Sequence, residues 1–319
     1  MKKKASRPSY LTRGWKALKT GDLVDVVAPA SKGPWNELEE GIKILESWGL
    51  RVRVSSHLYS PNLLHSNTDL ERWNQLKSAL LNKESSAIWC VRGGYGSMKL
   101  LPKLAKLKKP KHTKIFLGLS DITSLSVYFN QQWKWPVLHA PVLTRIGRGD
   151  LPKVSIDELK QVLFGEVSEL KYSLKPFNQA ADKCKNLSGE LVGGNWTTLM
   201  SGLATPYQIK APRTILFLED IGERGYRLDR YWEQLLQMGF LDKLSGILLG
   251  DFTLGDEPDG KNYVWEVLKE RTKSFKKPVF YGLPVGHGQI QRVLPLGVSL
   301  QLKKADHNLI AVIPTGMVS

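Results

Sequence analysis

Short apolar runs and amphipathic stretches alternate through the first half of the chain. Residues 23–28 (LVDVVA) predict a buried strand that stops at Pro29-Ala30-Ser31. Trp35, Leu38, Ile42 and Leu45 then recur at helical spacing, with Gly49 where a C-terminal cap belongs. Residues 51–55 (RVRVS) alternate as a strand, and Thr68-Asp69 opens a helix carrying Leu70, Trp73, Leu76 and Leu80 on one face. Residues 87–91 predict a third strand, followed by Arg92-Gly93-Gly94-Tyr95-Gly96 and a helix from about Ser97. Ile115-Phe116-Leu117 predicts a fourth strand ending at Gly118, and an amphipathic segment (Ile122, Leu125, Phe129) begins almost at once. Val137-Leu138-His139 follows. Repeated βα units with short connections predict a parallel sheet covered by helices on both faces, with ligands bound beyond the carboxyl ends of the strands. The Arg92–Gly96 loop and Ser120 then share one rim.

From about Ile146 to Asn186 the pattern loosens around one helix at 156–164. Beyond it, strands are expected at 214–218, 244–249, 279–281, 299–302 and 309–313, with helices at 228–238 and 263–272. The expected organisation is a basic tail (1–20), a nucleophile-bearing N-terminal domain (21–150), an interdomain connection (151–186) and a smaller mixed α/β domain (187–319).

Composition places the chain among globular proteins: 319 residues, 42% hydrophobic and 24% charged. No window approaches the 18 uninterrupted apolar residues of a membrane helix. The N-terminus, MKKKASRPSYLTRGWKALKTGD, has the charged start of a signal peptide without its apolar core. A cytoplasmic protein is therefore expected, or a periplasmic one if an upstream segment has been removed. Cys90, in an apolar strand pattern, and Cys184 fit no metal-ligand spacing, and the six histidines form no HxH or HxxxH pair. The formal net charge is +16, with much of the excess in the tail and in residues 103–114 (KLAKLKKPKHTK). Such a balance attracts polyanions. No nucleic-acid-binding signature accompanies it, so no nucleic-acid partner is expected.

Strand, sharp turn with a serine at its apex, then helix is the geometry that lifts a hydroxyl out of a sheet, and Ser120-Asp121 has it. The same residue types also cap helices without doing chemistry. A nucleophilic Ser120 needs a base. His287, between glycines in Leu283-Pro284-Val285-Gly286-His287-Gly288, is the candidate, with His139 its rival. A carboxylate must hold that base in one tautomer. Glu219 ends an apolar strand, where a charge is costly without a partner, and Asp220 and Glu223 are alternatives. Strand alternation lets only one of Glu219 and Asp220 point at a given partner. The Gly93-Gly94-Tyr95-Gly96 loop suits either a phosphate or an oxyanion, the second donor in the latter case being the Asp121 N–H.

Asp69-Leu70, Val91 to Gly96, Gly118 to Thr123, Gly193-Gly194-Asn195, Leu218-Glu219-Asp220, Gly286-His287-Gly288 and Leu296-Gly297 come in one order. That series, over about residues 21–313, resembles the LD-carboxypeptidase family (muramoyltetrapeptide carboxypeptidases and microcin C self-immunity proteins). The resemblance implies a Rossmann-like parallel-sheet domain plus a smaller C-terminal β-rich α/β domain, with the active site between them. It implies a serine peptidase with Ser120 as nucleophile, His287 as base and Glu219 as orienting acid. The oxyanion hole would come from Asp121 and the Gly93-Gly94 turn. The family reaction releases a C-terminal D-Ala from murein tetrapeptide in peptidoglycan recycling, with no metal or organic cofactor, often in a homodimer. An exopeptidase must also bind a terminal carboxylate, and Arg92, Arg224 and Arg227 are candidates. Tyr95, His139, Asn195 and Trp196 are expected around the substrate. Ala140 stands where the family pattern has glycine, and Trp196 where it has a small aliphatic residue, so both bear on substrate range. Two alternatives remain: a peptidase or amidase acting on a peptidyl-nucleotide antibiotic, and a non-catalytic homologue that binds a polyanion.

Overall fold

The computed structural model describes residues 16–135, 137–305 and 308–314. Most of the basic tail expected over 1–20 lies outside them, as does His307. Five parallel strands, β1 (Leu23–Val27), β2 (Arg51–Val54), β3 (Ser85–Cys90), β4 (Ile115–Gly118) and β5 (Val137–His139), form the first sheet. β1, β4 and β5 are buried along their whole length, whereas β2 lies at the edge and alternates between exposed and half-buried positions. That contrast is why β1 reads as a continuous apolar run and β2 as RVRV.

The helix Trp35–Ser47 buries Leu38, Gly41 and Leu45, while Trp35 stays half exposed against the Tyr59 ring. In the helix Asp69–Leu81 the Thr68 hydroxyl caps the Glu71 N–H at 3.2 Å. Leu70 does not join the apolar face. It sits in the first turn and faces solvent, and the buried face is Arg72, Trp73, Gln75, Leu76, Ala79 and Leu80. The fully buried Arg72 guanidinium binds the Pro29 and Gly96 carbonyls and the Asp69 carboxylate. It thereby ties together the loops after β1 and β3.

The remaining strands are β6 (Glu169–Pro176), β7 (Leu187–Asn195), β8 (Thr214–Ile221), β9 (Gly246–Thr253), β10 (Val279–Tyr281), β11 (Leu294–Leu296), β12 (Ser299–Ala305) and β13 (Asn308–Pro314). Seven of them close a barrel in the order β10-β6-β13-β12-β7-β8-β9. The expected connection over 151–186 therefore needs correcting, because β6 within it is a barrel strand paired with β13 and β10. Its burial alternates, with Leu170, Tyr172 and Leu174 inward and lysines outward. β11 leaves the barrel and adds antiparallel to β5, pairing Leu294 with His139, so the first sheet runs β11-β5-β4-β3-β1-β2. The two sheets thus interlock through the chain itself.

One residue of the basic run, Lys114, is buried. Its ammonium binds the Ala79 and Asn82 carbonyls and the Ser85 hydroxyl, and burial lowers its pKa to about 8. Lys106, Lys108, Lys109 and Lys111 are exposed on the segment that enters β4, at the end of the sheet opposite Ser120.

Candidate active site

β4 ends at Gly118, Leu119 stays extended, and Ser120 takes a φ of 65° before a short 3-10 turn leads into the helix Thr123–Tyr128. A left-handed serine costs roughly 1–3 kcal/mol and persists only where its surroundings hold it. They do so through glycines. A Cβ on Gly118 would lie 2.7 Å from the Ile122 side chain, and one on Gly93 would lie 2.6 Å from Ser120 Cβ and 2.9 Å from Oγ. The loop after β3 therefore packs backbone against the serine.

Ser31, in the loop after β1, braces that glycine loop. Its N–H donates to the Gly93 carbonyl at 3.1 Å and its Oγ accepts the Tyr95 N–H at 3.1 Å. Gly94 has a φ of 96°, and its N–H has no acceptor among the described residues. Asp121 is buried, and its side chain accepts the Ser97 N–H at 2.7 Å. Burial pushes its pKa up, against the bonds from Ser97.

Glu219 is completely buried near the end of β8. The register of β8 on β9 slips between Leu218 and Asp220, and the extra residue is on β9, opposite Glu219. From there the Glu219 Oε2 lies 2.6 Å from His287 Nδ1. Burial alone would raise the acid and lower the imidazole. Their mutual attraction and hydrogen bond win, so Glu219 is held below and His287 above its ordinary pKa. His139 Nε2 stands 3.7 Å from the other Glu219 oxygen, but complete burial drives its pKa down to about 4 and keeps it neutral.

Asp220 points the other way, as strand alternation requires. Its carboxylate accepts the Asn195 amide at 2.8 Å, the Thr197 N–H and hydroxyl at 2.9 Å and the Ile221 N–H at 2.9 Å. Burial and the neighbouring Glu219 raise it to about 6. Glu223 is engaged by Arg227 at 3.2 Å. Of the three acids, Glu219 is the one on the histidine.

Ser120, His287 and the Gly93-Gly94 turn line one cavity of about 500 Å³ between the two sheets. Among the described residues no group of three or more His, Cys, Asp or Glu is placed to hold a metal.

The LD-carboxypeptidase N-terminal domain family matches residues 24–140, and the LD-carboxypeptidase C-terminal domain family matches residues 188–302. The chain belongs to the LD-carboxypeptidase family. A Bacillus subtilis protein named "Probable murein peptide carboxypeptidase" is 33% identical over 95% of this chain and 94% of its own length. The murein tetrapeptide carboxypeptidase of Pseudomonas aeruginosa is 30% identical over 93% and 97%. A crystal structure of muramoyltetrapeptide carboxypeptidase from Oxalobacter formigenes superposes with a TM-score of 0.80 at 27% identity, over 92% of this chain and 98% of that one. The microcin C7 self-immunity protein of Escherichia coli is 25% identical over 88% and 90%.

In this LD-carboxypeptidase the residues expected around the substrate divide. Arg92 lines the cavity, is exposed and has no carboxylate partner among the described residues. Arg224 and Arg227 do not line it; they are committed to Glu257 and Glu223, each at 3.2 Å, and pack on Tyr226. Tyr95 stacks on His65 with ring centroids 5.3 Å apart, outside the lining. Asn195 and Trp196 are corrections. Asn195 is buried, caps the Thr198 N–H at 3.0 Å and holds Asp220. Trp196 has no exposed surface and packs among Tyr231, Trp232 and Phe252 in the barrel-side core. Neither reaches the cavity, and Ala140, also buried, does not line it either.

Arg145 and Arg148 line the cavity without having been anticipated, Arg145 paired with Asp150 and Arg148 with Glu37 at 3.0 Å. Sequence spacing gives two arginines on one short segment. What turns that segment toward the serine is the contact of Gly147 with the helix Trp35–Ser47, where a Cβ would lie 1.8 Å from the Glu37 carbonyl. That contact is invisible in a linear pattern.

Proposed function

We propose that this LD-carboxypeptidase is a serine peptidase that cuts the bond before a C-terminal D-residue of a murein tetrapeptide. The observation that carries the reading is the buried Glu219–His287 bond opening onto the cavity of the strained Ser120 turn. With Nδ1 committed to Glu219, Nε2 is the nitrogen free to serve the serine hydroxyl. Ser120 Oγ attacks the carbonyl carbon while His287 Nε2 takes its proton. The Gly94 and Asp121 N–H groups receive the negative oxygen, and the imidazolium returns the proton to the leaving amine. Water, deprotonated by the same nitrogen, then releases the acyl group from Oγ. Glu219 stays ionised throughout and stabilises the imidazolium.

Arg92 is adjacent in sequence to the glycine that touches Ser120, so its guanidinium is the cation we assign to the substrate's terminal carboxylate. A cytoplasmic place in murein recycling and a homodimeric assembly go with this reading. The polyanion-binding alternative leaves the buried ion pair and the strained serine without a purpose. The test compares D-Ala release from free tetrapeptide with alaninamide release from its C-terminally amidated form. A charge-assisted carboxylate contact predicts a kcat/KM lower by roughly tenfold or more for the amide. Equal turnover of the two would contradict a carboxypeptidase.

A further inference from the structure

The histidine turn is held by a residue that no part of the triad accounts for. β9 carries one more residue than β8 between the pairs Leu218–Leu249 and Asp220–Phe252. The surplus falls at Gly250-Asp251, directly across from Glu219. Bulges of this kind re-aim side chains, and they gather beside active sites.

Here the bulge lets one residue grip the histidine turn at both ends. The Asp251 N–H donates to the Val285 carbonyl at 2.9 Å, and Asp251 Oδ2 accepts the Gly288 N–H at 3.1 Å. His287 lies between those two bonds. The fit excludes side chains on either flank. A Cβ on Gly288 would lie 2.6 Å from Asp251 Oδ2, and one on Gly286 would lie 2.8 Å from Glu219 Oε2 and 3.2 Å from Asp251 Cβ. A Cβ on Gly250 would lie 2.3 Å from the Val285 carbonyl. Asp251 therefore excludes a side chain at Gly288, and Glu219 first, with Asp251 behind it, excludes one at Gly286.

We propose that Asp251 is a positioning residue that clamps the Val285–Gly288 turn and sets a second carboxylate beside the Glu219–His287 pair. This rests on the serine-peptidase reading of the site. The charged groups that act on Asp251 are Glu219 on β8 and His287 in the turn. Asp220 on β8 acts on His287, and His139 on β5 is coupled to Glu219 and His287. Burial first, and then Glu219, raise Asp251 to about 6, against the Gly288 bond and His287. Its charge in turn contributes to raising His287.

A carboxyl group whose pKa is raised in the fold gives stability below its ordinary value of 3.8 and loses it as pH rises through about 6. The ionised form therefore costs stability at neutral pH, as groups kept for function often do. Asp251→Asn keeps an acceptor for Gly288 and removes the charge. Asp251→Ala removes both.

The experiment measures kcat, KM and the pH profile of kcat/KM for D-Ala release by wild type, Asp251→Asn, Asp251→Ala and His287→Ala, with Tm at pH 7.5. Asp251→Asn is expected to keep KM, melt no lower than wild type, and shift the acid limb of kcat/KM to lower pH. Asp251→Ala is expected to lose kcat by roughly 10- to 100-fold at unchanged KM, the scale of a misplaced catalytic group. If the alanine variant does not fold, the acid-limb shift of the asparagine variant decides. An unshifted acid limb in Asp251→Asn, with wild-type kcat in any folded Asp251→Ala, would overturn the clamp alone, provided His287→Ala is inactive. Full activity in His287→Ala would remove the triad and the clamp with it.

Discussion

In the triad we propose, Glu219 and His287 trade stability against activity along the pH axis. The lowered Glu219 contributes stability above its ordinary value of 4.5 and loses that contribution as pH falls. The raised His287 contributes fully below its ordinary 6.5 and loses that contribution as pH rises through its folded value. The pair is therefore strongest between those two values, whereas a general base must be neutral, which it becomes only above 6.5. The kcat/KM profile is expected to have an acid-limb midpoint above pH 6.5, and Glu219→Gln to lower that midpoint while cutting kcat by roughly four orders of magnitude. A wild-type midpoint at or below 6.5 would contradict the ion pair. At this scale the Ser120 turn and the Glu219–His287 contact are legible, because each of these residues ends an apolar run or sits between glycines. Trp196 and Asn195 are not, because sequence shows adjacency to a motif but not which face of the chain meets the cleft. The arginines are ranked by their carboxylate partners, which no spacing reveals.

The Gly193–Asn195 segment at the end of β7 joins the two halves of the site. A Cβ on Gly193 would lie 1.9 Å from the Phe217 carbonyl, and one on Gly194, at a φ of 139°, 2.6 Å from Thr123 Oγ1. Thr123 opens the helix that follows Ser120, and its hydroxyl accepts the Asn195 N–H at 3.1 Å. Gly194→Ala is expected to cost about 1–3 kcal/mol by overpacking and to lower kcat through the displaced helix. Gly202→Ala, in open space at a helix end, is expected to be neutral or to stabilise by about 0.4–1 kcal/mol. Urea unfolding with parallel kinetics checks both. The strands with unbroken apolar runs are legible at this scale. β6 is not, because its inward Leu170, Tyr172 and Leu174 are diluted by outward lysines, and neither is β11, three residues long with a proline that only an edge strand tolerates.

At the scale of the molecule, the site exists only where two sheets meet. Ser120 and its glycine loop come from the parallel sheet, and Glu219, His287 and Asp251 from the barrel and its loops. Docking is enforced by β11 on β5, by Tyr172 reaching the Val293 carbonyl, and by the Arg292–Glu158 pair. The two-domain α/β architecture is legible from the strand and helix pattern, but this return of the chain to the first sheet is not. The exposed lysines of the 103–114 run sit at the far end of that sheet, so screening in physiological salt leaves them little influence on a substrate at Ser120. The cations that line the cavity itself are Arg92, Arg145 and Arg148, and in the function we propose these meet the anionic peptide. All of this converges on one hydroxyl. The direct measurement is D-Ala release from purified murein tetrapeptide by wild type and by Ser120→Ala, with both shown to be folded by matching thermal melts. Release by wild type and a loss of several orders of magnitude in Ser120→Ala is the predicted result. Equal release by the two proteins would contradict a serine nucleophile in this fold.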